Sequence, residues 1–369
     1  MAKMTFFSVG NADSTLLHLK DDRLILKDYF RPDFEDGDNR VDLAVELGDY
    51  VRSLDRDYID LVAFSHADDD HIHGCEEFFW FECASQYQGK DRIKINELHV
   101  PANLITEAGL ENSAKALQKE ARHRLREGKK IQIHGYPEQL DEWFKHENID
   151  PKTREHLILH AGHLIPGFSK DKGNIEIFIH SPFSFKIENE EENRNDNSLV
   201  WHITFFEGDK KWTAILGADA THKDWADILK YSEKFGHEDK LAFDLFRLSH
   251  HCSYLSLSDE KGETETVPRE EVKNIFEKGN DQCILISSSW AIPQEDTDQP
   301  PHFQAKAFYK KVVRDKGNSN NFYVTMEFPS KEHPKPIIVE IGLYGFTVKK
   351  TAGLTAATDV TRRQPPRVG

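Results

Sequence analysis

Six consecutive residues, His66-Ala67-Asp68-Asp69-Asp70-His71, place two imidazoles and up to three carboxylates directly after an apolar run, IDLVAFS. Crowding that much negative charge costs free energy unless a cation offsets it. Imidazole nitrogen and carboxylate oxygen are the ligands expected for Zn²⁺ or Mn²⁺. The six residues therefore read as a metal-binding loop, with an exposed acidic turn as the alternative. The run before them reads as a buried strand, and the end of a strand is where α/β enzymes place chemistry.

The elements that must hold this loop are legible along the chain. TFFSVG and STLLHL are short, aromatic and β-branched, with Gly10-Asn11-Ala12-Asp13 as the turn between them, and RLILKD follows as a third strand ending at Asp28. Residues 41–53 carry apolar side chains at helical spacing. After the strand ELHVPAN, the region of about 84–160 reads as a mostly helical insertion, with ENSAKALQKEARHRLREGKK and YPEQLDEWFKHEN as its helices. IEIFIHSP is a strand, and SLVWHITFF and KWTAILGAD form a hairpin through Glu207-Gly208-Asp209. FDLFRLSH, CILISSS, NFYVTMEF and PIIVEIG are later strands, with FQAKAFYKKVVRD a helix among them. Strands at both ends with helices interleaved predict an α/β protein, two sheets face to face with helices outside. One domain is expected over residues 1–350, with a disordered tail over 351–369.

Composition limits the function classes. The 369 residues are 38% hydrophobic and 30% charged, a globular balance. No apolar run approaches the roughly 20 residues that span a bilayer. The segment MAKMTFFSVG lacks the apolar core of a secretory signal, so a cytoplasmic protein without membrane contact is expected. Cys75, Cys83, Cys252 and Cys283 form no CxxC pair, which excludes a zinc ribbon. A formal net charge of −16 weighs against a large electrostatic footprint on nucleic acid. The one basic stretch, Lys115 to Lys130, reads as a solvated helix face before it reads as a phosphate-binding patch.

The loop resembles the metal-binding motif HxHxDH of the metallo-β-lactamase superfamily, here HxDxDH, with Asp68 where the second histidine usually stands. That variant is similar to the ComEC-type, competence and nuclease-like branch. FSVGNADSTLLHL resembles that branch's VGQGDA strand pair, matching Gly10 and Asp13, and LILKDYF resembles its LIDxG segment through Asp28. NDNSLVWHITF is similar to its NxxSLV segment, AILGADA to LLTGD and RLSHHCS to HHGS, while His302 in QPPHF stands near its His-Pro pair. Cys252 replaces the glycine of HHGS, and Tyr29-Phe30 stands where a glycine usually follows the aspartate.

This resemblance implies a four-layer αββα sandwich and two divalent metal ions, Zn or Mn. It implies His66, Asp68 and a further ligand at the first ion, with Asn195 or Asn197 in the region of that missing ligand. Asp70, His71 and His250 would hold the second ion, and Asp219 would bridge the two. Asp70 counts as catalytic as well as a ligand, and His251 and His302 are the candidates for proton donation or phosphate binding. His302 could equally be a surface residue of its Pro-rich loop. His73, His123, His160, His163 and His180 are read as structural or surface residues. The implied function is a metal-dependent hydrolase, a phosphodiesterase or nuclease using a two-metal-activated hydroxide on nucleic acid or a nucleotide. The alternatives are a small-molecule phosphoester or thioester hydrolase and a catalytically silent subunit of a larger assembly. No protein partner is indicated.

Overall fold

Apolar runs from opposite ends of the chain pair with each other: β1 (Ala2–Phe6) lies antiparallel to β15 (Ile337–Gly342), with Met4 opposite Val339. The computed structural model describes residues 1–183 and 198–349. Asn195, Asn197 and the tail expected to be disordered lie outside the described residues.

The larger sheet continues through β2 (Thr15–His18), β3 (Leu24–Lys27), β4 (Tyr58–Ala63), β6 (Ile93–Pro101), β7 (Ile131–His134) and β8 (Ile158–Leu159). The short β5 (Phe79–Trp80) pairs with β6, and β16 (Gly345–Val348) closes the far edge beyond β15. The smaller sheet has the order β14-β13-β12-β11-β10-β9, formed by Phe322–Val324, Gly279–Ser287, Phe243–Arg247, Lys210–Leu216, Val200–Glu207 and Ile175–Ser181. The described helices are α1 (Leu43–Ser53), α2 (Asp69–Ile72), α3 (Cys75–Phe78), α4 (Ala102–Thr106), α5 (Asn112–Glu127), α6 (Glu138–His146), α7 (His222–Phe235), α8 (Glu270–Glu277) and α9 (Phe303–Asp315).

Successive strand residues point to opposite faces, and here both faces are apolar. Leu16, Leu26 and Val62 pack outward on Leu47 of α1 and Leu117 of α5. Their neighbours Leu17, Ile25 and Leu61 pack inward on Ile179, Trp201 and Leu216 of the other sheet. Ile215, Phe246 and Leu285 face the far side, against Trp225 of α7, Ile275 of α8 and Phe308 of α9. Three apolar cores between four layers make the αββα sandwich. Each large side chain so buried contributes roughly 1.5–3 kcal/mol.

One sequence expectation looks different here. The 84–160 region is not inserted beside the sheet: β6, β7 and β8 are strands of it, and β6 pairs with both β4 and β7. Short buried strands in a parallel run lack the alternation that would flag them beside long helices. The basic stretch keeps the solvated face expected of it at Lys115, Lys119, Arg126, Lys129 and Lys130, which are exposed, while Arg122 and Arg124 are tied into the fold. Arg124 is buried, with its Nε 2.7 Å from Glu120 Oε1 and its Nη1 donating to Lys130 O at 3.0 Å. Arg126 forks onto Glu147 at 2.7 and 2.9 Å, and Arg122 donates to Ile105 O.

Several histidines are core residues, including His180, whose Nε2 donates to Lys240 O at 2.9 Å. Burial pushes His180 down to about 4 and holds His134 and His202 well below the usual histidine range. The unfolded chain still takes up these protons near pH 6.5. A depressed folded pKa means the stability is fully present above about pH 6.5 and is lost as pH falls through the folded value. Urea unfolding followed from about pH 7.5 to about pH 4.5 is expected to show a falling midpoint, with a shallower fall in His180→Gln. A slope unchanged by that substitution would contradict the assignment.

Candidate metal centre

Loops at the carboxyl ends of parallel strands converge on one edge of the sandwich. In the larger sheet β3 and β4 run parallel and end level at Lys27 and Ala63. In the smaller sheet β11, β12 and β13 run parallel, and Leu216, Arg247 and Ile286 are in register. Asp28 follows β3, His66 and Asp68 follow β4, and α2 carries Asp70 and His71. Asp219 follows β11, His250 and His251 follow β12, and Ser288 follows β13. Backbone bonds tie these loops together: Asp28 N donates to Ala63 O, Tyr29 N to His71 O, Asp13 N to Asp70 O and His250 N to Ala218 O.

The centre of the cluster is Asp219, buried between the sheets. Its Oδ1 lies 3.1 Å from His71 Nε2. Its Oδ2 lies 3.8 Å from His251 Nε2 and 4.0 Å from both His66 Nε2 and His250 Nε2. Asp70 Oδ2 is 2.8 Å from His251 Nε2 and 3.5 Å from His71 Nε2, and Asp68 Oδ2 is 3.6 Å from His66 Nε2. The ligand atoms of Asp70, His71, Asp219 and His251 all fall within 4.8 Å of one another. His66 Nε2 is buried without a hydrogen-bond partner, and His71 Nε2 and Asp219 Oδ1 face each other. Nitrogens and a carboxylate oxygen turned toward one point are what a divalent cation would satisfy.

The rings of His66, His71 and His251 are held by their far nitrogens. Ser65 Oγ lies 3.0 Å from the Nδ1 of both His66 and His71. His71 Nδ1 also meets Asp28 Oδ2 at 3.2 Å. His251 Nδ1 donates to Ser288 O at 2.7 Å, which turns its Nε2 toward the acids. Such outer contacts fix ring orientation at metal sites. Asp13, Asp28 and His71 form a second tight group. Its two acids already have buried cations, however: Lys27 Nζ is 3.2 Å from Asp28, and Arg247 contacts Asp13. This group therefore acts as support behind His71.

The charges are interdependent. Burial opposes a charge on His71, but Asp219, Asp70 and Asp28 outweigh it and hold this imidazole well above its usual range. Burial likewise opposes ionisation of Asp70 and Asp219. The cationic His71, with His251, outweighs burial, leaving Asp70 at about 2 and Asp219 well below the carboxylate range. His66 moves the other way, to about 4, through burial and then repulsion from His71.

His250, His251 and Cys252 have φ of 49°, 52° and 64°, three successive non-glycine residues in the left-handed region. Such positions cost of order 1–3 kcal/mol each and persist where the surroundings over-determine them. Here the anchors are Ala218 O for His250 N, and His302 N, which donates to Cys252 O at 3.1 Å. Cys252 thus adopts the conformation that the glycine of the resembling motif would take without strain.

Most residues named from the sequence are gathered here: His66, Asp68, Asp70, His71, Asp219, His250 and His251. His251, not His250, meets Asp70. His302 is buried beside the turn, near His250, with its ring edge-on to Tyr254 and its Nδ1 accepting from Tyr254 N at 3.4 Å. No described contact joins His302 to the acids. Lys27, Ser65, Arg247 and Ser288 were not singled out, because their types occur throughout the chain and no spacing marks them. Asp13 and Asp28 were matched by resemblance, without a role.

No protein-family profile matches the sequence, and no curated protein matches it. Among solved structures, the chain overlaps the metallo-β-lactamase GOB-18 of Elizabethkingia meningoseptica at 14% identity, over 86% of this chain and 91% of that one, with a TM-score of 0.32. It overlaps the class B3 di-zinc metallo-β-lactamase LRA-12 from an Alaskan soil metagenome at 11% identity, over 74% and 89%, with a TM-score of 0.31. It overlaps a diphosphatase of the PhnP family at 11% identity, over 67% and 73%, with a TM-score of 0.25. At these identities and TM-scores the overlaps assign no residue a role.

Removing His71 leaves buried carboxylates without their shared cation. His71→Ala is expected to destabilise the metal-free protein by about 3–5 kcal/mol. Asp68→Ala, whose carboxylate is one-third exposed, should cost less than about 1 kcal/mol. Urea unfolding in the presence of a chelator measures both, and equal losses would contradict the central place of His71.

Proposed function

We propose that the protein is a metal-dependent phosphodiesterase holding two divalent cations, one on either side of Asp219. The observation that carries this reading is the set of four imidazoles, His66, His71, His250 and His251, whose Nε2 atoms all lie within 4.0 Å of that one buried carboxylate. His66, Asp68 and His250 would hold the first cation; Asp70, His71 and His251 would hold the second; Asp219 would be shared. This moves His250 from the second ion, where the sequence put it, to the first, where it supplies the missing ligand for which Asn195 or Asn197 had stood in. Both rings reach Asp219 Oδ2, at 4.0 and 3.8 Å, and their planes stand at 82° to each other, so consecutive histidines would serve different cations.

Two such cations supply Lewis acidity and a water of lowered pKa, which suits in-line displacement at phosphorus. The chain's own residues set the access. Asp68 and Asp70 are each one-third exposed and His250 one-fifth, so substrate meets the centre from their side. His71, Asp219 and the Ser65 contacts lie behind them, closed to water. His251 is then a ligand, and His302 holds the strained turn rather than delivering a proton.

Each proposed set combines two imidazoles with carboxylates, a donor mix that both Zn²⁺ and Mn²⁺ accept, with zinc bound more tightly. A nucleic acid or nucleotide is the proposed substrate. Purified protein reconstituted with Zn²⁺, Mn²⁺ or Mg²⁺ and assayed on plasmid, single-stranded DNA, RNA and cyclic nucleotides tests this. Phosphodiester cleavage is expected, falling at least roughly 100-fold in Asp70→Ala. Cleavage of a thioester or lactam with no phosphodiester cleaved under any metal would overturn the reading.

A further inference from the structure

Trp290 stands just beyond β13, two residues after the Ser288 whose carbonyl holds His251. Its indole is 40% exposed, large for so apolar a group at the rim of a polar centre. It is nevertheless fixed. Its backbone N–H donates to Asn11 Oδ1 at 2.9 Å, and Asn11 Nδ2 donates to Pro300 O at 2.6 Å. Gly10, at φ 87°, lies against the ring, and a Cβ there would stand 3.0 Å from Trp290 Cε2. The Arg40 guanidinium sits 5.3 Å from the ring centroid, and its Nε is held by Asp38 at 3.0 and 2.9 Å. The ring is thus a rigid plate, backed by a cation that is itself anchored.

The plate adjoins the metal centre from two directions. Ser288 leads to His251, and Asn11 lies two residues before Asp13, which contacts Arg247 and whose N–H donates to Asp70 O at 3.1 Å. Two residues of chain reach about 7 Å, so the backbone at Trp290 lies beside the loops that carry Asp13 and His251. We propose that Trp290 is a stacking subsite for a nucleobase whose phosphate enters the centre. The proposal rests on the phosphodiesterase reading and names its substrate class. The charge pattern favours it. The net charge of −16, with the α5 arginines committed to the protein's own carboxylates and carbonyls, weighs against a long electrostatic track for duplex. Short-range contacts then carry more of the recognition, and stacking on an aromatic plate is the contact that every base can make.

The test is calorimetric binding of a nucleoside 5′-monophosphate and of ribose 5-phosphate to the zinc-loaded protein. The two carry the same phosphate and differ in the base. The wild type is expected to bind the nucleotide about tenfold more tightly than the sugar phosphate. That difference should vanish in Trp290→Ala and largely survive in Trp290→Phe, with metal content unchanged in both. Equal affinities in the wild type, or a difference that persists in Trp290→Ala, would overturn the subsite. Base-selective binding without phosphodiester cleavage would instead overturn the reaction and leave the subsite standing. Cleavage without base-selective binding would do the reverse.

Discussion

Four carboxylates gathered around one buried imidazole are the constraint from which the rest of the centre follows. Asp13, Asp28, Asp70 and Asp219 come from four different loops and two different sheets, and all have an oxygen within 4 Å of His71. Like charges brought out of water at such distances repel strongly unless cations stand among them. The cationic partners at hand include His71 itself, Lys27 at Asp28 and Arg247 at Asp13. The first two act from the larger sheet and the third from the smaller. The edge where the sheets meet is therefore held by charge where the rest of the sandwich is held by apolar packing.

That arrangement separates support from reaction. The acids paired with Lys27 and Arg247 are closed off and orient His71. Asp68, Asp70 and His250 remain partly open to water, and Asp219 stands between the two groups. Strain is concentrated in the left-handed run from His250 to Cys252, which aims two adjacent imidazoles in different directions. A regular helix or strand would put neighbouring side chains on fixed, periodic bearings. The 250–252 turn avoids that periodicity, and His302 and Ala218 hold it in place.

The local chemistry was largely legible in the sequence. His66, Asp68, Asp70 and His71 announce themselves because six residues carry so much charge after an apolar strand. The αββα layering followed from apolar runs alternating with amphipathic helices. What was not legible has a common physical cause. The pairing of β6 with β4 and β7, the internal anchoring of Arg122, Arg124 and Arg126, and the placement of His251 beside Asp70 are all long-range facts, decided by which loops meet. Lys27 and Arg247 look like ordinary strand ends until the fold buries them beside acids. His302 is buried against Tyr254, a placement that its Pro-rich surroundings in the sequence did not signal.

The central claim is that Asp219 divides two cation sites between the consecutive histidines 250 and 251. Anomalous diffraction at the zinc edge from crystals of the reconstituted protein tests it directly. The account predicts two peaks per chain flanking Asp219, one contacted by His66, Asp68 and His250 and the other by Asp70, His71 and His251. A single peak, or two peaks with His250 contacting neither, would contradict it.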